Sequence, residues 1–181
     1  MNLISHKTES LRGEIVCPGD KSVSQRIIII GSLLNCDMQV NGFLNAHDPI
    51  ATANALKAIG AQISINGTEV ILKKRENLFN DSEHDLNLGN SGTGSRLLLG
   101  LISGLGLKST IIGDKSLQKR PMSRVIEPLK MMGAELSSNE GKLPIKTLGS
   151  KIIDNFEYEM PIASAQVKSC LLLAALASQK N

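Results

Sequence analysis

A repeat constrains this chain more than any other feature of its sequence. Slid against itself by 73 residues, the segment from Leu56 to Lys73 lies on Leu129 to Lys146. Leu56, Lys57, Gly60, Ala61, Ser64, Asn66 and Lys73 then meet Leu129, Lys130, Gly133, Ala134, Ser137, Asn139 and Lys146. That is seven identities in 18 positions, where chance gives about 1. Each copy reads as the end of a helix, a Gly-Ala stop, and two short strands around an Asn/Gly turn. The fold must therefore stack one α/β unit on another.

The first half of each unit recurs too. Ser22–Asn35 carries Val23, Ile27, Ile30 and Leu34 at helical spacing, which predicts one apolar face. Ser91–Gly106 follows with Leu98, Leu101, Ile102 and Leu105, and Ala165–Ser178 with Val167, Cys170, Leu171 and Ala174. All three open with small or hydroxyl residues and then a cation: Arg26, Arg96 and Lys168, spaced 70 and 72 apart. The unit reads as helix, strand, helix, strand, strand, after a leading strand at Glu14–Pro18, Leu86–Leu88 or Tyr158–Ile162. Its second helix opens at Asp48-Pro49 and at Arg120-Pro121, where proline suits the first helical position. Pro128, inside the second of these helices, predicts a bend. The units span about 14–83, 84–155 and 156–181, and the third stops after its first helix. The apolar stripe of that helix lacks the cover the repeat supplies elsewhere. The expectation is a piece of a longer protein, the alternative a partner that covers the stripe.

Composition narrows the function. A net charge of +3 with no Trp, one Tyr and three Phe argues against a nucleic-acid partner. The longest charge-free apolar stretch, Leu97 to Leu107, is 11 residues, against the roughly 20 that span a bilayer. The N-terminus lacks a basic region followed by an apolar run, so no secretory signal is expected. Cys17, Cys36 and Cys170 form no CxxC, and His6, His47 and His84 show no ligand spacing. No metal is expected; the thiols read as small buried apolar groups and the histidines as loop residues. The chain reads as soluble and cytoplasmic.

The three helix starts carry the chemistry. A helix N-terminus presents unpaired N–H groups and the positive end of its dipole, which attract anions. Pro-Gly-Asp-Lys-Ser (18–22) places Lys21 and Ser22 at the first mouth. It is not a P-loop, because GxxxxGK[ST] is absent. Gly89-Asn-Ser-Gly-Thr-Gly94 has the wrong spacing for a dinucleotide loop. Lys119-Arg120-Pro121 puts a guanidinium at another helix start, able to grip carboxylate or phosphate. Ser164-Ala-Gln166 adds neutral donors at the third unit. No paired catalytic carboxylates and no Ser/His/Asp set are evident. This half-site binds anions.

As a set, Pro-Gly-Asp-Lys-Ser-Val-Ser-Gln-Arg, Leu-Gly-Asn-Ser-Gly-Thr-Gly-Ser-Arg, Lys-Arg-Pro-Met-Ser-Arg-Val and Pro-Ile-Ala-Ser-Ala-Gln-Val-Lys-Ser closely resemble the 5-enolpyruvylshikimate-3-phosphate synthase family. The Ser-Ala-Gln form and the Lys-Ser-x-Ser-x-Arg form look like the bacterial variety called class II, although Gln25 stands where many such sequences have His. The resemblance covers less than half of a full-length member. It implies an α/β fold, an inside-out barrel domain built from βαβαββ repeats, here with the third incomplete. Residues 1–12 are expected to belong to the second, absent C-terminal domain, and 13–181 to an incomplete N-terminal domain.

The resemblance also implies a transferase of the shikimate route. Such an enzyme moves the enolpyruvyl group of phosphoenolpyruvate to the 5-hydroxyl of 3-phosphoshikimate through a tetrahedral intermediate, with no metal or organic cofactor. By position, Lys21 would touch both substrates, with Ser22, Arg26, Ser164 and Gln166 on 3-phosphoshikimate. Gly92 and Arg120, with Gln166, would hold phosphoenolpyruvate, supported by Asn90 and Thr93. Ala165 replaces a serine of other members, and the acid/base carboxylates would lie in the absent domain. The related UDP-N-acetylglucosamine enolpyruvyl transferases normally show Lys-Asn where this chain has Lys21-Ser22, and a cysteine near Arg120. No cysteine occurs between Cys36 and Cys170. A non-catalytic anion-binding module of the same fold is the other alternative.

Overall fold

The structure is a computed structural model and describes residues 2–179. Met1, Lys180 and Asn181, at the ends of the expected first and last segments, lie outside that range. The element order is α1 (Lys21–Leu33), β1 (Met38–Val40), α2 (His47–Ala58), β2 (Gln62–Asn66), β3 (Glu69–Lys73), β4 (Leu86–Asn87), α3 (Gly92–Leu105), β5 (Lys108–Ile112), a 3₁₀ turn (Leu117–Lys119), α4 (Ser123–Met131), β6 (Ala134–Asn139), β7 (Lys142–Ser150) and α5 (Ala165–Ser178).

The repeat is visible in the topology. One sheet runs β1-β3-β2 and the other β4-β5-β7-β6, so β1, β2 and β3 correspond to β5, β6 and β7. Both hairpins are antiparallel, and β1 and β5 each pair with the second strand of their hairpin. The Gly-Ala stop works through backbone conformation. Gly60 and Gly133 follow α2 and α4 with φ of 107° and 97°, a region that side chains avoid.

Several local expectations are corrected. Of the three leading strands only β4 forms, because Leu86 and Asn87 lie parallel to Ile111 and Ile112. Glu14–Pro18 and Tyr158–Ile162 have no ladder partner among the described residues, and residues 2–18 are exposed without helix or strand. Extended chain without a neighbouring strand has nothing to pair its N–H and C=O groups. Pro49 is the third residue of α2, still within the first turn, where N–H groups are unpaired. Pro121 precedes α4 by two residues, and Pro128 lies inside that helix as expected.

The face of α1 also differs from its sequence reading. Ser24, Gln25, Ile28, Ile29, Gly31 and Ser32 are buried, while Val23, Ile30 and Leu34 are exposed. Four consecutive isoleucines, 27 to 30, satisfy either face, so the polar residues decide. Ser24 accepts the Leu44 N–H at 2.9 Å and Ser32 donates to Ile28 O at 2.6 Å, which removes the penalty of burying them. Ile30 and Leu34 line an open groove with Leu105 and Leu176. Of the cysteines only Cys170 is buried, and burial pushes its thiol up to about 12. Cys17 and Cys36 are exposed, one in the extended N-terminal segment and one just past α1.

At the centre stands α3. Leu97, Leu98, Leu99, Leu101 and Ile102 have no exposed surface, so burial extends beyond the predicted stripe, of which Leu105 is only half-buried. Its closest neighbour is α5, which buries Val167, Cys170, Leu173 and Ala174; Leu171 is only half-buried. The two backbones touch through glycine: a Cβ on Gly100 would stand 2.2 Å from Cys170 O, and one on Gly104 2.3 Å from Ala174 O. Backbone atoms cannot rotate away, so the helices must part to admit a methyl group. Gly100→Ala should lower stability by about 2–3 kcal/mol, read as a fall in denaturant midpoint. An unchanged midpoint would refute the close packing.

Candidate functional site

Helices α1, α3 and α5 begin at one end of the molecule, and each is capped by the residue before it. Asp20 accepts from Val23 N–H at 2.7 Å, Ser91 from Gly94 N–H at 3.0 Å and Ser164 from Val167 N–H at 3.4 Å. The hydroxyl expected at the first mouth is thus not the cap. Asp20 holds the extended backbone that precedes the helix, and Ser22, one residue into it, faces Arg26 instead.

The predicted residues meet through bonds between helices. Lys21 donates to Asp48 of α2 at 3.1 Å with its side chain 55% exposed, so the ammonium remains accessible. Arg26 donates to Ser22 and, at 3.3 Å, to Ser169 Oγ, joining α1 to α5. Gln166 bridges α5 to α3: its amide donates to Thr93 Oγ1 at 3.0 Å and accepts from Arg96 at 3.0 Å. Arg120 ends the 3₁₀ turn, three residues before α4 begins at Ser123. It is therefore not at a helix start. Its guanidinium donates to Asn90 Oδ1, while Asn90 Nδ2 donates to Asp114 at 2.8 Å. The bare backbone of Gly92 lies between two guanidiniums, where a Cβ would come within 3.0 Å of Arg120 and 3.1 Å of Arg96. Ser164 is half-buried, Ala165 exposed without a side-chain donor, and Lys168 exposed.

The electrostatics favour an anion. Arg26, Arg96 and Arg120 make no ion pair among the described residues. Arg96 is only 7% exposed and donates to Gly92 O, Gln166 and Pro121 O. Burial and the nearby charges of Arg124 and Arg120 press its guanidinium below its ordinary range. A guanidinium still stays charged in a protein, so the repulsion persists until an anion offsets it. Asp114 lies below the usual carboxylate range, held there by the Leu117 N–H and then by Asn90. It is thus engaged as an acceptor and anchors Asn90 beside Arg120.

A cleft of about 1260 Å³ lies beside this end between α2 and residues 85–90. It reaches the cationic face only through Asp48 and Asn90, and Asp48, Asp85 and Asp114 line it. Three carboxylates repel a phosphate, so the cationic face suits an anion better than the cleft does. Among the described residues no three His, Cys, Asp or Glu side chains converge to hold a metal ion. No helix among them is long and apolar enough to cross a membrane.

Sequence reasoning missed Asp48 as the partner of Lys21, and it missed Gln25, Thr52 and Ser91, which lie buried beneath the face. Asp48 was visible as the acid before Pro49 and Ser91 as a helix-opening hydroxyl; nothing local announced that Gln25 and Thr52 would meet Ser91.

Known proteins resemble this chain in sequence and in fold. The family model described as EPSP synthase (3-phosphoshikimate 1-carboxyvinyltransferase) matches residues 5–181. A 3-phosphoshikimate 1-carboxyvinyltransferase of Vesicomyosocius okutanii is 44% identical over 177 residues, 97% of this chain and 41% of its own length. One from Geobacter sp. (strain M21) is 45% identical over 179 residues, again 97% of this chain and 41% of its length. An EPSP synthase structure from Acinetobacter baumannii superposes with a TM-score of 0.84 at 38% identity, covering 92% of this chain and 38% of that one. The chain thus spans about two-fifths of the length of the curated relatives it matches. With a family model matching nearly its whole length and the fold of a solved member, the chain belongs to the EPSP synthase family.

Proposed function

We propose that this chain forms the N-terminal wall of the active site of a 3-phosphoshikimate 1-carboxyvinyltransferase. The observation that carries the reading is the convergence of three capped helix mouths with Arg26, Arg96 and Arg120, none of them paired to a carboxylate among the described residues. Two substrates rich in negative charge come together only where fixed positive charge offsets their repulsion.

In this reading Ser22, Arg26, Ser164 and Gln166 bind 3-phosphoshikimate. The α1–α5 link between Arg26 and Ser169 supports placing them on one ligand. Gly92, Arg120 and Gln166 bind phosphoenolpyruvate, with Asn90 and Thr93 orienting them. Lys21 stands between the two. The 5-hydroxyl of the shikimate ring gives up its proton as its oxygen bonds to C2 of phosphoenolpyruvate, and C3 takes a proton. Loss of phosphate and of a C3 proton then restores the double bond. The groups that move these protons belong to the second domain, as do residues 1–12; the complete protein works in the cytoplasm.

Two outcomes test this. In the longer protein, Lys21→Ala and Arg120→Ala should each lower turnover by about 100-fold or more. The melting temperature should hardly move, because an exposed pair such as Lys21–Asp48 contributes under about 1 kcal/mol. Loss of the fold in either variant would make these residues structural. The 181-residue chain alone should bind 3-phosphoshikimate in titration calorimetry, more weakly as salt rises, and should release no phosphate from phosphoenolpyruvate. Phosphate release above background would refute the division of labour between the domains, and absence of binding would refute the site.

A further inference from the structure

Beneath the cationic face lies a polar cluster that no proposed substrate contact uses. Gln25 of α1, Thr52 of α2 and Ser91, the cap of α3, have no exposed surface. The Gln25 amide donates to Ser91 Oγ at 2.6 Å and to Thr52 Oγ1 at 2.9 Å, and lies 3.4 Å from Asp48 O. The Thr52 hydroxyl donates to that same carbonyl at 2.9 Å. Gly94 closes the cluster: a Cβ there would stand 2.5 Å from Thr52 Oγ1, 2.7 Å from Ser91 Oγ and 2.9 Å from Gln25 Nε2. One amide therefore touches three helices.

This arrangement costs stability. Gln25 Oε1 is buried without a partner, and an acceptor stripped of water and left unpaired is destabilising. Turning the amide round brings no relief. The Ser91 hydroxyl could then donate to its oxygen, but that oxygen would face Asp48 O and a Thr52 oxygen whose proton is already committed, and the NH2 would take the place where Oε1 now finds no partner. A methionine would fill the same space with no orphaned oxygen. Ser91 would keep its bond from Gly94 N–H, and Thr52 its bond to Asp48 O. What methionine could not do is hold the cap of α3 to α1 and α2. Ser91 immediately precedes Gly92, and Asp48 carries the carboxylate on Lys21. Gln25 thus spans the two sides of the anion site.

We propose that Gln25 is a positioning residue whose amide sets the first turn of α3, with Gly92 and Thr93, in register with Lys21 on α1. The ligand it serves rests on the function proposed above; the geometric role stands without it. The test uses the 181-residue chain, its Gln25→Met variant and its Gln25→His variant, since a neutral imidazole keeps one N–H to offer Ser91. Melting, amide exchange along α3 and calorimetric affinity for 3-phosphoshikimate are measured on each.

Gln25→Met should melt no lower than the parent. Exchange at Gly94 should nevertheless quicken about tenfold relative to Leu98–Ile102, and affinity should fall about fivefold or more. Gln25→His should recover most of both. Unchanged exchange at Gly94 in Gln25→Met would overturn the proposal. So would failure of that variant to fold, or a melting temperature that falls with the affinity and is not rescued by His, because the role would then be structural. If the parent itself does not bind 3-phosphoshikimate, the proposed function fails, while the exchange comparison still decides the role of Gln25.

Discussion

The contact of α3 with α5 through Gly100 and Gly104 is the constraint on which the rest of the arrangement depends. It puts a helix with a fully buried leucine-rich middle at the centre of the core. A helix buried all round cannot rotate to suit a ligand. Its N-terminus is therefore a fixed point, and the other helix mouths are placed relative to it. The links are specific: Gln25 and Ser91 tie α1 to α3, Gln166 and Thr93 tie α5 to α3, and Arg26 and Ser169 tie α1 to α5.

That rigidity explains how Arg96, Arg120 and Arg124 can be held near one another. Buried beside Arg120 and Arg124, Arg96 sits in the field of like charges, which costs the free protein stability. Carbonyl and amide oxygens hold Arg96 in place without neutralising it. An incoming phosphate or carboxylate removes repulsion already present in the free protein. Binding strength and the stability cost of the site thus have one origin.

The repeat was legible because its signal is local: a Gly-Ala stop and a tight hairpin recur at fixed spacing, and Gly60 and Gly133 repeat the same backbone conformation. The motif residues were legible for the same reason, since capping and cation placement are decided within one turn. The inward face of α1 was not, because Ile27–Ile30 fit either side and the choice falls to partners on α2 and α3. Nor were the leading strands at 14–18 and 158–162, whose formation depends on a neighbour and not on their own residues. Arg120 was one turn out of place, displaced by the 3₁₀ turn that precedes it. The Gln25 cluster joins positions up to 66 residues apart and has no local trace.

The claim that three helix mouths form one anion site is tested most directly by amide chemical-shift mapping of the 181-residue chain with 3-phosphoshikimate. Ser22–Val23, Gly92–Thr93 and Ala165–Gln166 should shift together along one saturation curve. Shifts confined to a single helix start, or centred on the acidic cleft between α2 and residues 85–90, would contradict it.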